Sequence, residues 1–322
     1  MDGKHPAKKG TFTCDLIIAR YKEKLDWLRI YDKYDFTKII VYNKGNNDRK
    51  CDLKGKQCKQ IELKNEGRCD HTYLYHIVNN YDKLADVTIF SKGSSHMFRE
   101  RKKLNFTVAK VFETRNSVFS VAHEHVPVHI GQATFALETY RSSDTQNHNG
   151  ILDVETMVMK PSNPRPFGKW YEKHFPGISV TKAVYAGVFA LSKRHIHQHT
   201  KEYYANLMKE LEGHPNPEVG HYFERAWLAV FHPIPDECTY HEVIHEAEHD
   251  TSHKVGSGLP MLPMPHMPPM PPMPHMPPIQ PMPPMPHMPP MPPMHFVRGG
   301  RRHTMRKRNR KTSKRQKRRH RR

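Results

Sequence analysis

Apolar and polar positions along the first hundred residues alternate between the spacing of buried strands and the spacing of amphipathic helices. Apolar runs such as residues 14–20 are bounded by glycine or by charged stretches, as buried strands usually are. A strand, a helix and a second strand in this order favour parallel pairing with right-handed crossovers. The pattern therefore predicts an α/β fold with a mostly parallel sheet and flanking helices. The predicted elements are strands at 14–20, 37–42 and 86–90, and helices at 23–31 and 69–81.

The second part of the domain has a weaker pattern. Within residues 113–182 we expect strands, with extended segments at 133–137 and 154–159 and a proline-rich loop after them. Beyond this stretch the predicted elements are a strand at 185–191, helices at 200–212 and 218–231, and a last helix at 238–249.

Charge and composition change sharply after residue 250. The chain has 322 residues and a formal net charge of +20, yet no acidic residue follows Asp250, and 15 of the 52 lysines and arginines lie between Arg298 and Arg322. Between Pro260 and Met294 proline, methionine and histidine form a near-repeat that blocks helix and sheet interiors. The predicted organisation is a flexible start at 1–12, a folded domain at 13–250, a Pro/Met/His-rich linker at 251–297 and a disordered basic tail at 298–322.

The basic tail predicts contact with nucleic acid or another polyanion. Its 15 cations in 25 residues suit counterion release, but aromatic residues that would stack on bases are missing from it. We therefore expect binding without base recognition, or an address read by an import receptor.

The sequence also excludes several classes of protein. Its apolar runs are far shorter than the roughly 18 residues of a membrane span, and residues 1–10 lack the apolar stretch of a secretory signal. Five cysteines without a C-x-x-C pair indicate free thiols in a reducing compartment. The expected location is intracellular, either cytoplasmic or nuclear, and not secreted.

One motif suggests metal chemistry. Residues 241–245 read H-E-x-x-H, the spacing that places two zinc-binding histidines and a glutamate base on one helix. Because the chain contains 25 histidines and no third ligand follows at the usual positions, this motif is a weak argument for a zinc metalloprotease.

Two segments carry a more specific pattern. The first runs from Ala19-Arg20-Tyr21 through Trp27-Leu28 to Val41-Tyr42-Asn43-Lys44-Gly45. The second begins at Gly67-Arg68 and continues through Thr72-Tyr73-Leu74 to Tyr81 and Phe90. Later in the chain, residues 185–194 read Y-A-G-V-F-A-L-S-K-R and residues 220–227 read G-H-Y-F-E-R-A-W.

This combination, over residues 13–232, resembles a domain family of unknown function that is itself similar to the glycosyltransferase-A group. The resemblance implies a Rossmann-like sheet and a nucleotide-sugar site at the carboxyl ends of the strands. Glu224 would then be the general base. The donor side would comprise Arg20, Tyr21, Asn43, Lys44, Gly45, Arg68, Ser91, Lys92 and Gly93, and the acceptor side Gly187, Arg225 and Trp227.

In one respect the sequence departs from the pattern of that group. Glycosyltransferases of this fold usually hold Mn²⁺ or Mg²⁺ with Asp-x-Asp at the exit of the third strand, where this chain has Ser91-Lys92-Gly93-Ser94-Ser95. Lys92 could replace the metal, Asp144 or Asp153 could supply ligands, or transfer activity could be lost. The leading hypothesis is a glycosyltransferase. The alternative is a non-enzymatic protein that binds a glycan or a partner.

Overall fold

A computed structural model describes residues 11–45, 58–142, 144 and 158–241, which belong to one compact unit. Eight strands form one mixed sheet in the order β3-β2-β1-β4-β7-β5-β6, and β8 pairs with β5. The strands are β1 (Cys14–Arg20), β2 (Lys38–Asn43), β3 (Cys58–Glu62), β4 (Val87–Lys92), β5 (Val118–His123), β6 (Lys182–Ala183), β7 (Phe189–Ser192) and β8 (Thr239–His241).

The helices cover both faces of this sheet. They are α1 (Arg68–Asn80), α2 (Phe98–Thr114), α3 (Val128–Gly131), α4 (Phe167–His174), α5 (Lys193–Ile196), α6 (Lys201–Lys209) and α7 (Val219–Val230). Short 3₁₀ turns occur at Asp26–Tyr31, Tyr81–Lys83, Tyr185–Gly187 and Asp236–Cys238.

The central strand β1 is buried along its whole length, and its side chains alternate between the two faces. Ile17 belongs to one core, which also contains Tyr73 of α1 and Trp227 of α7. Leu16 and Ile18 belong to the other core, which contains α2 residues. Because both faces are covered, the strand is an almost continuous apolar run rather than an alternating one.

The strand order reverses direction at β1. The chain passes from β1 to β2 and β3 on one side, and α1 then carries it across to β4 on the other side. Strands β1, β2, β3 and β4 are mutually parallel, so the carboxyl ends of β1 and β4 lie side by side. In open α/β sheets such a reversal opens a crevice where ligands bind.

Strand β7 enters the sheet antiparallel to β4, with Phe90 opposite Phe189. The beginning of β7 therefore lies at the carboxyl end of β4. Strand β5 is antiparallel to β7, so its carboxyl end reaches the same edge of the sheet. This arrangement brings segments from both halves of the domain to one edge.

Several sequence predictions need correction. The helix predicted at 23–31 is only a 3₁₀ turn, Asp26–Tyr31. The strand predicted from residue 185 begins at Phe189, because Ala186 and Gly187 have left-handed φ values of 71° and 61° that a strand does not tolerate. The predominantly extended reading of 113–182 misses helix α4, and residues 133–137 form no strand.

The helix predicted at 238–249 is wrong where the structure describes it, since Thr239–His241 pairs with β5 as a strand. The other residues of the H-E-x-x-H motif lie outside the described part of the chain, as do Asp153, the Pro/Met/His-rich linker and the basic tail. The predictions made for these segments stay predictions.

The cysteines and the helices also bear on the expected location. Cys14, Cys69 and Cys238 are free, but Cys58 is disulfide-bonded, so the expectation of free thiols alone is wrong. Disulfides persist mainly in oxidising surroundings, so cysteine usage no longer argues for a reducing compartment. In the part of the chain that the structure describes, no helix combines the length and apolar character needed to cross a bilayer.

Candidate functional site

The loops that follow β1, β2 and β4 pack tightly against one another. A side chain at Gly45 would overlap the carbonyl of Tyr21, and one at Gly93 would come within 2.6 Å of the carboxylate of Glu23. Both positions therefore require glycine for close packing. The indole Nε1 of Trp27 donates a 3.0 Å hydrogen bond to the carbonyl of Gly93 and holds the third loop in place.

Arg20 has an internal contact in this group of loops. It is 3% exposed, and its Nε donates a 2.9 Å hydrogen bond to the carbonyl of Glu23. The backbone amide of Tyr21 donates to the Glu23 carboxylate at 2.7 Å, whereas the Tyr21 ring is only half-buried, beneath the ammonium of Lys22. Arg20 thus shapes the loop, and the Tyr21 ring is the more exposed of the two side chains.

Asn43 and Lys44 hold neighbouring backbone segments together. The amide of Asn43 donates to the carbonyl of Gly45 at 2.7 Å and to the carboxylate of Glu62 at 2.8 Å. The Lys44 ammonium donates to the carbonyls of Glu66 and Arg68, each at 2.5 Å. Burial lowers the pKa of Lys44 to about 8, although nearby acidic groups oppose the shift. These two side chains are committed to the entrance of α1.

Arg68 begins α1 in a strained conformation. Its φ of 53° lies in the left-handed region, directly after Gly67 at 61°, and such strain in a non-glycine residue is concentrated at functional sites. The guanidinium lies over the ring of Tyr140, 4.4 Å from its centroid, and Nη1 donates a 3.0 Å hydrogen bond to the side chain of Asn216. Gly220 on α7 leaves room for the Arg68 side chain, because a Cβ there would lie 3.2 Å from it.

Arg68, Lys92 and Glu224 interact electrostatically although they are far apart in the sequence. Burial lowers the pKa of Lys92, but its interactions with Cys69, Glu224 and Glu100 together outweigh burial and the repulsion from Arg68, so the pKa is raised. The pKa of Arg68 is likewise raised against the effect of burial, with Glu224 among the causes. Lys92 contacts Glu100 at 3.3 Å, and the side chains of Lys92 and Glu224 remain 21% and 20% exposed. Two cations and a carboxylate thus share a partly open site.

Asp70 adds a second carboxylate to this group. Burial and the charge of Glu224 raise the pKa of Asp70 to about 7, despite the opposing effect of Arg68. The adjacent His221 is held neutral, because burial and the surrounding cations lower its pKa to about 3. Among the described residues, Asp70 is the titrating group nearest to neutral pH in this cluster. Sequence reasoning missed it because an aspartate in the first turn of a helix is an ordinary feature.

The three residues predicted for the acceptor side have different positions. Arg225 lies over the ring of Phe135, 3.5 Å from its centroid, and its Nε donates to the side chain of Gln132 at 2.6 Å. Gly187 borders the site, since a Cβ there would lie 3.4 Å from the sulfur of Cys69. Trp227 is fully buried in the core against Phe189 and Phe231, so it presents no face to a ligand.

The exit of β4 does not fit a divalent cation. The ammonium of Lys92 would repel a metal there, and the hydroxyls of Ser91 and Ser95 are engaged with each other at 2.8 Å. Asp144 is buried near His96, 3.7 Å away. In residues 11–45, 58–142, 144 and 158–241, no group of three or more histidine, cysteine or carboxylate side chains has a geometry that could hold a metal ion.

Comparison with known proteins identifies the family of this chain. No curated protein matches the chain. The sequence profile of one family covers residues 16–246, which include every strand except the first two residues of β1 and every described helix. The chain therefore belongs to the family described as protein of unknown function (DUF3431).

Proposed function

We propose that this domain transfers a sugar from a nucleotide-sugar donor to an acceptor hydroxyl. The observation that carries the proposal is that Arg68, whose side chain packs against Gly220 of α7, and Lys92, which ends β4, both interact electrostatically with Glu224 of α7. The reversal of strand order at this point is where open α/β sheets bind nucleotides.

Arg68 and Lys92 would bind the diphosphate of the donor. A guanidinium and an ammonium complement the negative charge that develops on the departing diphosphate. Lys92 ends β4, where glycosyltransferases of the A group usually carry acidic metal ligands, and its charge would take over the stabilising role there. Tyr21, half-buried at the end of β1, is the remaining candidate for contact with the base or ribose.

Glu224 would act as the general base. Its carboxylate is partly exposed, and the neutral imidazole of His221 lies 3.9 Å from it. The acceptor oxygen would form a bond to the anomeric carbon while the bond from that carbon to the diphosphate breaks. Glu224 would take the proton of the acceptor hydroxyl, and the diphosphate would leave with the bonding electrons.

The contacts of Arg20, Asn43 and Lys44 revise the donor site expected from the resemblance. All three side chains hold loop backbone or a neighbouring side chain, so we assign them to shaping the crevice rather than to contacting the diphosphate. The same contacts favour the second candidate, a non-enzymatic protein that binds a glycan or a partner, because they leave fewer free cations for a donor.

Donor binding and turnover distinguish these two functions. The full chain would be titrated with UDP-glucose, UDP-N-acetylglucosamine and GDP-mannose by calorimetry, and release of nucleoside diphosphate would be measured with and without added sugars. Transfer predicts donor binding and release. Absence of binding by all three donors would contradict the proposed function and favour the second candidate.

A further inference from the structure

A second polar cluster lies beside Glu224 at the same edge of the sheet. We call it the Glu124 cluster, and it consists of Glu124, Gln132, Tyr185 and Arg225. Arg225 follows Glu224 on α7, and the charges of both Glu224 and Glu124 act on its guanidinium. The cluster therefore adjoins the proposed base without including Arg68 or Lys92.

The hydrogen bonds of this cluster hold its members in fixed positions. The amide nitrogen of Gln132 donates to Glu124 Oε1 at 3.0 Å and to the Tyr185 hydroxyl at 2.7 Å. The Tyr185 hydroxyl donates to the same Glu124 Oε1 at 3.0 Å. The oxygen of Gln132 accepts from Arg225 Nε at 2.6 Å. Each side chain is thus oriented by at least one other member.

The backbone beneath Tyr185 is fixed as well. The buried ammonium of Lys103 donates a 2.8 Å hydrogen bond to the Tyr185 carbonyl, and the hydroxyl of Tyr73 donates a 2.7 Å bond to the carbonyl of Gly187. These contacts come from α2 and α1. They support the left-handed turn at Ala186 and Gly187, which would otherwise be strained.

The carboxylate and the guanidinium of this cluster each retain an atom without a hydrogen bond. Within the described residues, Glu124 Oε2 accepts no hydrogen bond, and Nη2 of Arg225 donates none, since the second guanidinium bond comes from Nη1 to the carbonyl of His221. One carboxylate oxygen and one guanidinium nitrogen without a hydrogen bond thus remain beside the half-buried rings of Tyr185 and Phe135.

The pair of Arg68 and Lys92 and the neighbouring Glu124 cluster differ in charge and therefore favour different ligands. Arg68 and Lys92 are both cationic, which suits a diphosphate. In the Glu124 cluster the charges of the carboxylate and the guanidinium cancel, so a charged ligand gains little electrostatic binding energy. A neutral ligand whose hydroxyls both donate and accept hydrogen bonds uses both free groups, and its C–H faces can lie against the aromatic rings.

We infer that the Glu124 cluster is a binding site for a neutral sugar ring, with one hydroxyl donating to Glu124 and another accepting from Arg225. Its assignment as the acceptor site of a glycosyltransferase rests on the proposed function, whereas the binding of a neutral sugar does not. The acceptor would then be a glycan or glycoside rather than a phosphorylated or acidic compound.

Binding of simple glycosides tests this inference independently of catalysis. The full chain would be mixed with the methyl α- and β-glycosides of glucose, galactose, mannose and N-acetylglucosamine, and binding would be followed by saturation-transfer NMR. Two variants would be compared with the native chain: Glu124→Gln, which removes the free acceptor but keeps the shape, and Tyr185→Phe, which frees Glu124 from one of its two orienting bonds. Glu138→Gln, at an exposed carboxylate, is the matched control.

We expect at least one glycoside to bind, with affinity reduced about tenfold by Glu124→Gln, because a hydrogen bond to a charged group is lost. Affinity should fall less with Tyr185→Phe and stay unchanged with Glu138→Gln. Thermal unfolding of each variant checks that the fold is intact. Binding of no glycoside by the native chain, or equal binding by native chain and Glu124→Gln, would overturn the inference. If the native chain binds a glycoside but none of the three nucleotide sugars, the result contradicts the proposed function and leaves this inference intact.

Discussion

The hydroxyl of Tyr73 donates a 2.7 Å hydrogen bond to the carbonyl of Gly187, joining α1 to the turn that precedes β7. Both residues are buried, and their sequence separation is 114 residues. The bond fixes the position of Gly187 beside Cys69, next to Arg68. It therefore links the proposed donor side of the site to the Glu124 cluster.

Removal of this bond should loosen the site. Tyr73→Phe leaves the buried Gly187 carbonyl without its partner, so we expect the free energy of unfolding to fall by about 1–2 kcal/mol. Tyr203→Phe is the matched control, because it removes a similar bond from the Val230 carbonyl elsewhere in the fold. Chemical denaturation of the two variants measures the loss of stability. Sugar transfer should fall only in Tyr73→Phe, and an equal loss in both would contradict a special role for this bond.

Lys92 offers a direct test of diphosphate binding. In Lys92→Gln one of the two cations is lost, and we expect the affinity for UDP to fall about tenfold. The remaining affinity should depend less on salt, since fewer charges are screened. Lys193→Gln is the control, because Lys193 follows the end of β7 at the opposite edge of the sheet. Calorimetric titrations at two salt concentrations would show the difference, and equal affinities in the two variants would argue against a diphosphate at Lys92.

Gly45 should be intolerant of any side chain. The methyl group of Gly45→Ala would overlap the carbonyl of Tyr21, so the two loops must separate, and we expect a loss of about 3 kcal/mol in stability. Gly177→Ala is the comparison, because Gly177 has a left-handed φ of 75° but open space around it. That substitution should cost about 1 kcal/mol of conformational strain. If both variants unfold at the same denaturant concentration, the close packing of these loops is not important for stability.

Asp70 should make stability fall as the pH rises. Its pKa is about 7 in the folded domain against an ordinary 3.8, so the folded state binds more protons than the unfolded state between about pH 4 and pH 7. Stability therefore decreases with rising pH over this window, and Asp70→Asn removes the decrease. Between pH 4 and pH 8 the free energy of unfolding of the native chain should fall by roughly 1–4 kcal/mol more than that of Asp70→Asn.

Denaturation curves at several pH values would measure this difference. The exposed carboxylate of Asp82 provides the charge control, as Asp82→Asn removes a charge without altering a buried group. An unchanged pH profile in Asp70→Asn would show that Asp70 is ionised at neutral pH in the folded domain.

The sequence predicted β1, β2 and β4 because these strands are buried on both faces, and it predicted α1, but it missed β3, which is partly exposed, and helix α2. Residues 14–20 read as one apolar run, and the structure has β1 at Cys14–Arg20. The second half was less predictable, since β6 has two residues and β8 has three, too few for a recognisable period. Their pairing with β5 depends on tertiary contacts that a local pattern does not contain.

The candidate site, like the fold, could be predicted from the sequence only in part. The motifs named Arg68, Lys92 and Glu224, and the charges of these three side chains act on one another in the structure. The motifs could not reveal that Lys44 is bonded to two backbone carbonyls, because its partners Glu66 and Arg68 contribute only main-chain atoms. Nor could they identify Glu124, whose partners Gln132 and Tyr185 lie 8 and 61 residues away.

The most direct test of the central claim is a comparison of Glu224→Gln with the native chain in sugar transfer and in donor binding. The substitution removes the base but keeps the size of the side chain, so we expect the rate of transfer to fall by about 100-fold or more. Donor affinity should change by less than about threefold, because Arg68 and Lys92 still bind the diphosphate. Transfer at the native rate by Glu224→Gln, measured as nucleoside diphosphate release with acceptor present, would contradict the account.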